Sequence, residues 1–418
     1  MCYMTYDLAI VGAGAAGLAA AVTARELGLN IVVVEASHRI GGRGYTEEIA
    51  PGVQFDLGCH WLHSASINPF VPIADRFGFN YRKGTYPRGL FLEGRWGTEA
   101  ERDALDAFLD QSHDAVMAAA KEGRKVSQAD VTDRESIWTP VFDHFTTLGT
   151  SVDPDQVGVE DTANYNDTGE NWPLKDGYGR LIARFGADVE VMLNCAVRTI
   201  KWGGHEIVLD TVKGSIAAKR VLVTVSTGIL GAGDIKFDPN LPDWKEAAIA
   251  ALPLGVHNRV GILFDRDIFG PDCARGAVVM LPDAEVQAIA FNPFGQNYAV
   301  GYTGGRHAAW LERAGQQASF DFTMERLVAV FGSSIRDRVQ KTIVTAWHGD
   351  PWTKGSYSAA LPGQGHQRIE LARPIDDRVF FAGEATSREF MSTAHGAYIS
   401  GIAAVRAVAR TLGMESAA

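Results

Sequence analysis

Cysteine is scarce in this chain. Its 418 residues include four, Cys2, Cys59, Cys195 and Cys273, scattered with no CxxC pair. That spacing matches no usual zinc site and gives no disulfide framework, so free thiols in a reducing, cytoplasmic setting are expected, with no metal. Basic residues are outnumbered: 39 Lys and Arg stand against 50 Asp and Glu, for a formal charge of −11. A nucleic-acid partner calls for a basic surface, so none is expected. An acidic protein suits a cationic small substrate, though solubility alone explains many acidic enzymes. Long apolar runs are missing too. The uncharged stretch Leu8 to Ala24 follows Asp7 and is broken by three closely spaced glycines. It is shorter than the roughly 20 residues of a membrane helix, and an acid stands where a signal peptide has a base. No membrane association, low-complexity tract, heptad run or fixed repeat is expected.

What is present begins with YDLAIVGAGAAGLAAAVTARELGLNIVVVEASHRIGGR, from Tyr6 to Arg43. An apolar strand, Leu8 to Val11, runs into Gly12, Gly14 and Gly17, then an Ala-rich helix, then the strand Ile31 to Val34 ending on Glu35. Gly12 permits a tight turn, and Gly14 lets a pyrophosphate approach the backbone. Gly17 lets the helix pack on the sheet, and the helix N-terminus offers N–H groups to phosphate. Glu35, eighteen residues past Gly17, can accept from both hydroxyls of an adenosine ribose. The register of strand, glycines, helix, strand and acid predicts a bound dinucleotide. Gly41-Gly42-Arg43 then forms a second backbone nest, with a guanidinium for phosphate or flavin edge. At this length and 46% hydrophobic content, two domains are expected.

Further along come DLGCHWLH from Asp56, LKDGYGRLI, VLVTVSTGIL, WHGDPWTKGSYS and FAGEATSREFMSTAHGAYISG. With VGAGAAGL and EASHRIGGR, these segments resemble the flavin-containing amine oxidase family. That family includes monoamine oxidases, polyamine and spermine oxidases, and flavin-dependent histone-lysine demethylases. The matches lie at both ends and in the middle, and HWLH is most similar to the polyamine and spermine oxidase branch.

The resemblance implies a doubly wound α/β, Rossmann-like FAD domain with a second substrate domain of mixed sheet and helices. The expected division gives FAD residues 1–72, 174–246 and 346–418, and the substrate 73–173 and 247–345. The resemblance also implies non-covalent FAD, because Tyr357 stands where monoamine oxidases have the flavin-linking cysteine. Cofactor contacts are expected from Gly12, Gly14, Ala16 and Gly17, from Glu35 and Ala36, and from Arg39, Gly42 and Arg43. Further contacts are expected from Gly58, Cys59, His60, Trp61 and Trp347. Val197 matches the position that reads the adenine edge. Gly383 and Glu384 face the ribityl chain or a pyrophosphate-bound water, and Thr393, Ala394 and Ala397 open a helix aimed at the flavin pyrimidine. His395 is expected to be structural.

The implied reaction is hydride loss from the α-carbon of a neutral amine to flavin N5, then imine hydrolysis, with O2 as acceptor and H2O2 as product. His63 is the candidate proton acceptor or relay. Tyr357 and Tyr398 are expected to face one another across an amine slot. Arg259 stands where the family usually has a lysine that reaches the flavin through water, which puts fast reaction with oxygen in question; pairing with a nearby acid is its plain structural role. Alternating apolar residues in 286–291, 298–302 and 342–346 suggest a half-buried sheet flooring the cavity, with a helix near 320–331. A helical stretch, 100–120, belongs to the far wall. Amino-acid oxidases and desaturases share the fold; an amino-acid oxidase needs a carboxylate clamp, for which Arg82 and Arg88 are available. A flavin-bound regulatory protein with feeble turnover is the alternative of another class.

Overall fold

The computed structural model describes residues 5–85, 88–270, 275–282 and 285–414. Its centre is the strand Tyr6–Val11, whose side chains alternate between two cores. Leu8 and Ile10 pack with Leu18 and Ala21 of the helix Ala15–Glu26 and with Val405 and Val408 of the closing helix Ala394–Thr411. Ala9 and Val11 pack on the other side with Val197, Leu209 and Val221. Ile31–Val34 and Gly214–Val223 flank this strand in parallel, and Val379–Phe381 adds a further parallel neighbour. Ile207–Thr211 and Val197–Lys201 extend the sheet antiparallel, and Lys236–Asp238 forms its edge. This is the expected doubly wound α/β layer. Residues 188–193 add no strand, only an isolated bridge from Met192 to Val34.

A second seven-stranded sheet runs in the order Val339–Val344, His257–Phe264, Tyr298–Gly304, Gln287–Phe291, Gly276–Met280, Gly89–Leu92, Arg95–Trp96. It is covered on both faces, not half-buried as its alternation suggested. Val260, Ile262 and Phe264 lie against Met324 and Leu327 of the helix Gln316–Phe331, whereas Leu263 meets Phe55 from the hairpin Thr46–Ala50/Val53–Asp56. The helices Glu99–Lys121, Thr139–Thr150 and Val159–Asn164 pack on the second sheet, where Leu105, Phe108, Val141 and Val159 meet Leu90 and Val278. The first begins at Thr98 in a reciprocal capping box with Glu101, which satisfies two amides left open by the first turn. No described helix is long and apolar enough to cross a membrane. Cys59 and Cys195 are free thiols; Cys2 and Cys273 lie outside the described residues.

Candidate active site

One cavity of about 1490 Å³ runs between the two sheets. Ordinary ligand pockets span roughly 300–1,000 Å³, so there is room for a dinucleotide and a second molecule together. At one end the first strand turns at Gly12, whose φ of +104° suits glycine. A Cβ on Gly17 would lie 1.9 Å from the Gly12 carbonyl oxygen, so the helix can sit this close only with glycine there. The helix Ala15–Glu26 starts at Gly14 with no side-chain cap and no acid in its first turn, and Gly14, Ala15 and Ala16 line the cavity. Uncapped amides at a positive dipole end form an anion cradle. Glu35 accepts from the Ala13 and Ser37 amides at 2.7 and 2.8 Å and keeps acceptor capacity toward the cavity. Ala36 and Val197 complete this end. Arg39 lies over the Tyr45 ring at 3.8 Å while donating to the Gly42 carbonyl at 2.8 Å. Glycine cradle, ribose acceptor and guanidinium together fit the adenosine diphosphate half of FAD.

Midway, a chain of buried charges braces the wall. Arg43 donates to the Ser356 carbonyl at 2.7 Å and to Glu384 at 2.9 Å. Glu384 also accepts from the Ser358 hydroxyl at 2.7 Å and from the Ser358 and Ser392 amides. Those donors fill its acceptor positions, so Glu384 holds Arg43 rather than offering a free carboxylate to a ribityl chain. Ser358 Oγ in turn accepts from Arg368 at 2.9 Å, and Arg368 grips Asp161 with two bonds of 2.9 and 2.7 Å. Nearby, Thr393 caps the closing helix by accepting from the Gly396 amide, and Gly383, Ala394 and Ala397 share the cavity surface. His395 is buried against Phe390 and contacts Asn68 at 3.2 Å, in the structural role expected.

At the far end, Gly58, Cys59, His60, Trp61 and His63 meet the second sheet. Trp347 donates from its indole to the Leu57 carbonyl at 3.0 Å. Arg259 is buried and donates to the Asp56 carbonyl at 2.7 Å and to His60 Nδ1 at 2.6 Å; its Nε has no partner. Among the described residues it pairs with no acid. His60 must present its Nδ1 lone pair to Arg259, and its ring stacks on Tyr302 at 5.7 Å. Burial and the Arg259 charge hold His60 well below the usual histidine range. His63 Nδ1 lies 2.6 Å from Asn171 Oδ1, which only accepts, so Nδ1 carries the proton and Nε2 the lone pair. Burial lowers His63 as well, leaving it neutral near pH 7. Tyr357 donates to the Leu148 carbonyl and lies 2.6 Å from His257 Nδ1. Burial pushes the Cys59 thiol up to about 12, so it is neither nucleophile nor thiolate ligand. No group of acids, histidines or cysteines among the described residues could hold a metal.

Tyr398 does not face Tyr357. Its ring packs edge-on against Phe70 and Phe185, at 5.2 and 5.4 Å, away from the cavity. Gly17 is likewise behind the wall, in its packing role. Arg88 opens onto the cavity, whereas Arg82 does not. The sequence reading missed Asn171, His257, Tyr302 and Arg275, all on the cavity surface. Of these, His257 carried a signal: it sits two residues before Arg259 on one strand, so both point to the same face.

The flavin containing amine oxidoreductase family matches residues 87–409 of the chain, and the NAD(P)-binding Rossmann-like domain matches 10–76. The chain belongs to the flavin-containing amine oxidoreductases. It is 26% identical to polyamine oxidase 4 of Oryza sativa, over 96% of this chain and 88% of that protein. It is 27% identical to lysine-specific histone demethylase 1B of Mus musculus, over 96% of this chain but about half (52%) of that longer protein. In fold it matches a putrescine oxidase solved with putrescine, with a TM-score of 0.81 at 19% identity, covering 98% of this chain and 100% of that one. It also matches cyclohexylamine oxidase from Brevibacterium oxydans, with a TM-score of 0.80 at 20% identity over 98% and 100% of the two chains. The protein is thus an amine oxidoreductase, and its cofactor is FAD.

Proposed function

We propose that this protein oxidises a small amine to an imine that water hydrolyses, with O2 as electron acceptor and H2O2 as product. The observation that carries this reading is the continuity of the cavity, from phosphate cradle to a chamber lined by neutral histidines. The names of the relatives, polyamine, putrescine and cyclohexylamine oxidases, point to small alkyl amines. When bound, FAD supplies a two-electron acceptor for the hydride leaving the carbon next to nitrogen.

Gly12, Gly14 and Gly42 would hold the diphosphate of a non-covalently bound cofactor, Glu35 and Val197 its adenosine, and Arg259, Trp347 and Thr393 would line the part of the cavity left for its ring system. Segments 1–72, 174–246 and 346–418 supply that grip, and 73–173 with 247–345 enclose the amine. His63 takes the proton of an incoming ammonium at Nε2, because Asn171 has fixed the proton on Nδ1. Tyr302 and Tyr357 present ring faces that attract the cationic form on entry. Half-buried with Trp61 and His60, they narrow the chamber and limit water around the reacting carbon.

The deciding experiment is anaerobic titration of the yellow holoenzyme with polyamines, monoamines and amino acids, followed by peroxide assay in air. Bleaching by an amine and stoichiometric peroxide are expected. A holoenzyme that no compound bleaches would refute the proposal, and reduction without peroxide would remove O2 as acceptor.

A further inference from the structure

Trp347 lines the cavity, but two of the residues that hold it there, Asn258 and Glu312, do not. On the strand His257–Phe264, Asn258 alternates with His257 and Arg259, so its side chain leaves the sheet on the opposite face. Asn258 is buried there. Its Oδ1 accepts from the Trp347 amide at 3.2 Å and from the Thr345 hydroxyl at 3.1 Å. Its Nδ2 donates to Glu312 Oε2 at 2.7 Å. The Thr345 hydroxyl in turn accepts from the Arg259 amide at 2.7 Å. Glu312 projects from the helix Gly305–Ala314 and takes two more donors, the His348 and Gly349 amides, at 3.3 and 2.6 Å. Three successive amides, 347 to 349, thus converge on one carboxylate and the side-chain amide it meets, as backbone amides elsewhere converge on an anion. An asparagine can turn over and exchange its oxygen for its nitrogen. A carboxylate only accepts, so Glu312 fixes the Asn258 nitrogen toward itself and the oxygen toward Trp347. On its other side the Trp347 indole donates to the Leu57 carbonyl at 3.0 Å, and a Cβ on Gly58 would lie 3.5 Å from its ring.

We infer that Glu312 is a positioning residue: acting through Asn258, it sets the place of Trp347 against the coenzyme's ring system. This rests on the reading that puts the ring system beside Trp347. Glu312 itself touches neither coenzyme nor amine. Its carboxylate matters because an Asn258 turned the other way would face the Trp347 amide with a second donor. That buried N–H would then lose its partner, and the chain at Trp347 would shift to find another.

The test reads the flavin absorption bands of the holoenzyme and the dissociation constant of FAD. Trp347→Phe comes first and should shift the bands and weaken FAD binding; no change would take the ring system away from Trp347, and the inference falls with that placement. Glu312→Lys sets an ammonium against the Asn258 nitrogen and turns that amide over. It should shift the bands and weaken FAD about tenfold, the low end for losing a hydrogen bond to a charged group. Adding Asn258→Asp gives an acceptor at both ends, toward Lys and toward Trp347, and should restore the bands and bring the affinity back to within about twofold. Glu312→Met, which only frees the Asn258 nitrogen, should move both readouts the same way by less. With Phe at 347, Glu312→Lys should add no more than about twofold, because its effect passes through the indole. A carboxylate that serves stability alone would lower the melting midpoint of both Glu312 variants and leave bands and affinity unchanged. That result, a failure of Asn258→Asp to restore, or the full loss with Phe at 347 overturns the inference.

Discussion

His63 and Arg259 show how one hydrogen bond decides what a side chain can do. Because Asn171 Oδ1 holds the His63 Nδ1 proton, Nε2 is a base at neutral pH, and burial extends that state below the ordinary histidine pKa. His63→Ala is expected to slow anaerobic flavin reduction at least about tenfold, and to remove the acid limb of the pH profile for kcat/KM. Unchanged stopped-flow traces would take His63 out of the chemistry. Arg259 is pinned by the Asp56 carbonyl and His60, so its charge cannot swing toward a bound water as a lysine's can. Arg259→Lys is expected to speed the return of the oxidised spectrum in air; an equal or slower return contradicts this. The turn at Gly12, the uncapped helix start at Gly14 and the close packing at Gly17 were legible because each is set by neighbours close in sequence. Asn171 was not, since nothing local distinguishes it until the fold sets it beside His63.

Elements were legible where their pattern is internal and obscure where pairing is distant. The Ala-rich first helix was legible from the strand and glycines that lead into it, and a helix expected near 320–331 is found as Gln316–Phe331. Tyr398 was misread because a helix turns by about 100° per residue, which carries it off the face shared by Ala394 and Ala397. Phe70 and Phe185 then supply the apolar pocket its ring fills. The join of Gly89–Leu92 to Gly276–Met280 leaves no trace in either segment. Another distant contact makes an element-scale prediction. Lys245, fully buried in the helix Asp243–Ala250, donates to the carbonyls of Glu370, Leu371 and Arg373 at 2.8, 2.6 and 2.6 Å, closing the end of the helix Gln367–Ala372. Burial pulls Lys245 down to about 7, yet three acceptors need three N–H donors, which only the ammonium has. Lys245→Met should therefore lower unfolding free energy by about 3 kcal/mol in urea titration, through unsatisfied carbonyls. A loss below about 1 kcal/mol would show that the end of that helix needs no such clamp.

At the scale of the whole molecule, acid should loosen the fold earlier than its carboxylates alone require. His144 and His395 are buried, and burial holds both near about 3. An unfolded chain takes up those protons near the ordinary histidine value of about 6.5. Between these two values the unfolded state binds more protons, so stability is full above about pH 6.5 and falls as pH drops toward about 3. Asp56, raised to about 6 by burial, works the other way over part of that window and offsets one histidine. The melting midpoint of the holoenzyme should fall steadily from about pH 7 to about pH 5; a flat profile would contradict the neutral burial of these rings. The two-sheet plan was legible in outline, from motifs at both ends and an irregular middle. The full lining of the cavity between the sheets was not, because it comes from almost every segment of the chain.

The ladder from Asp161 through Arg368, Ser358 and Glu384 to Arg43 ties the least recognisable stretch of the chain to its most recognisable one. Anyone who swaps the segment around Val159–Asn164 to retarget the enzyme would therefore also be editing how firmly the coenzyme is retained. Chimeras that keep an acid in register with Arg368 should come off the column yellow, and those that drop it should lose colour on dilution.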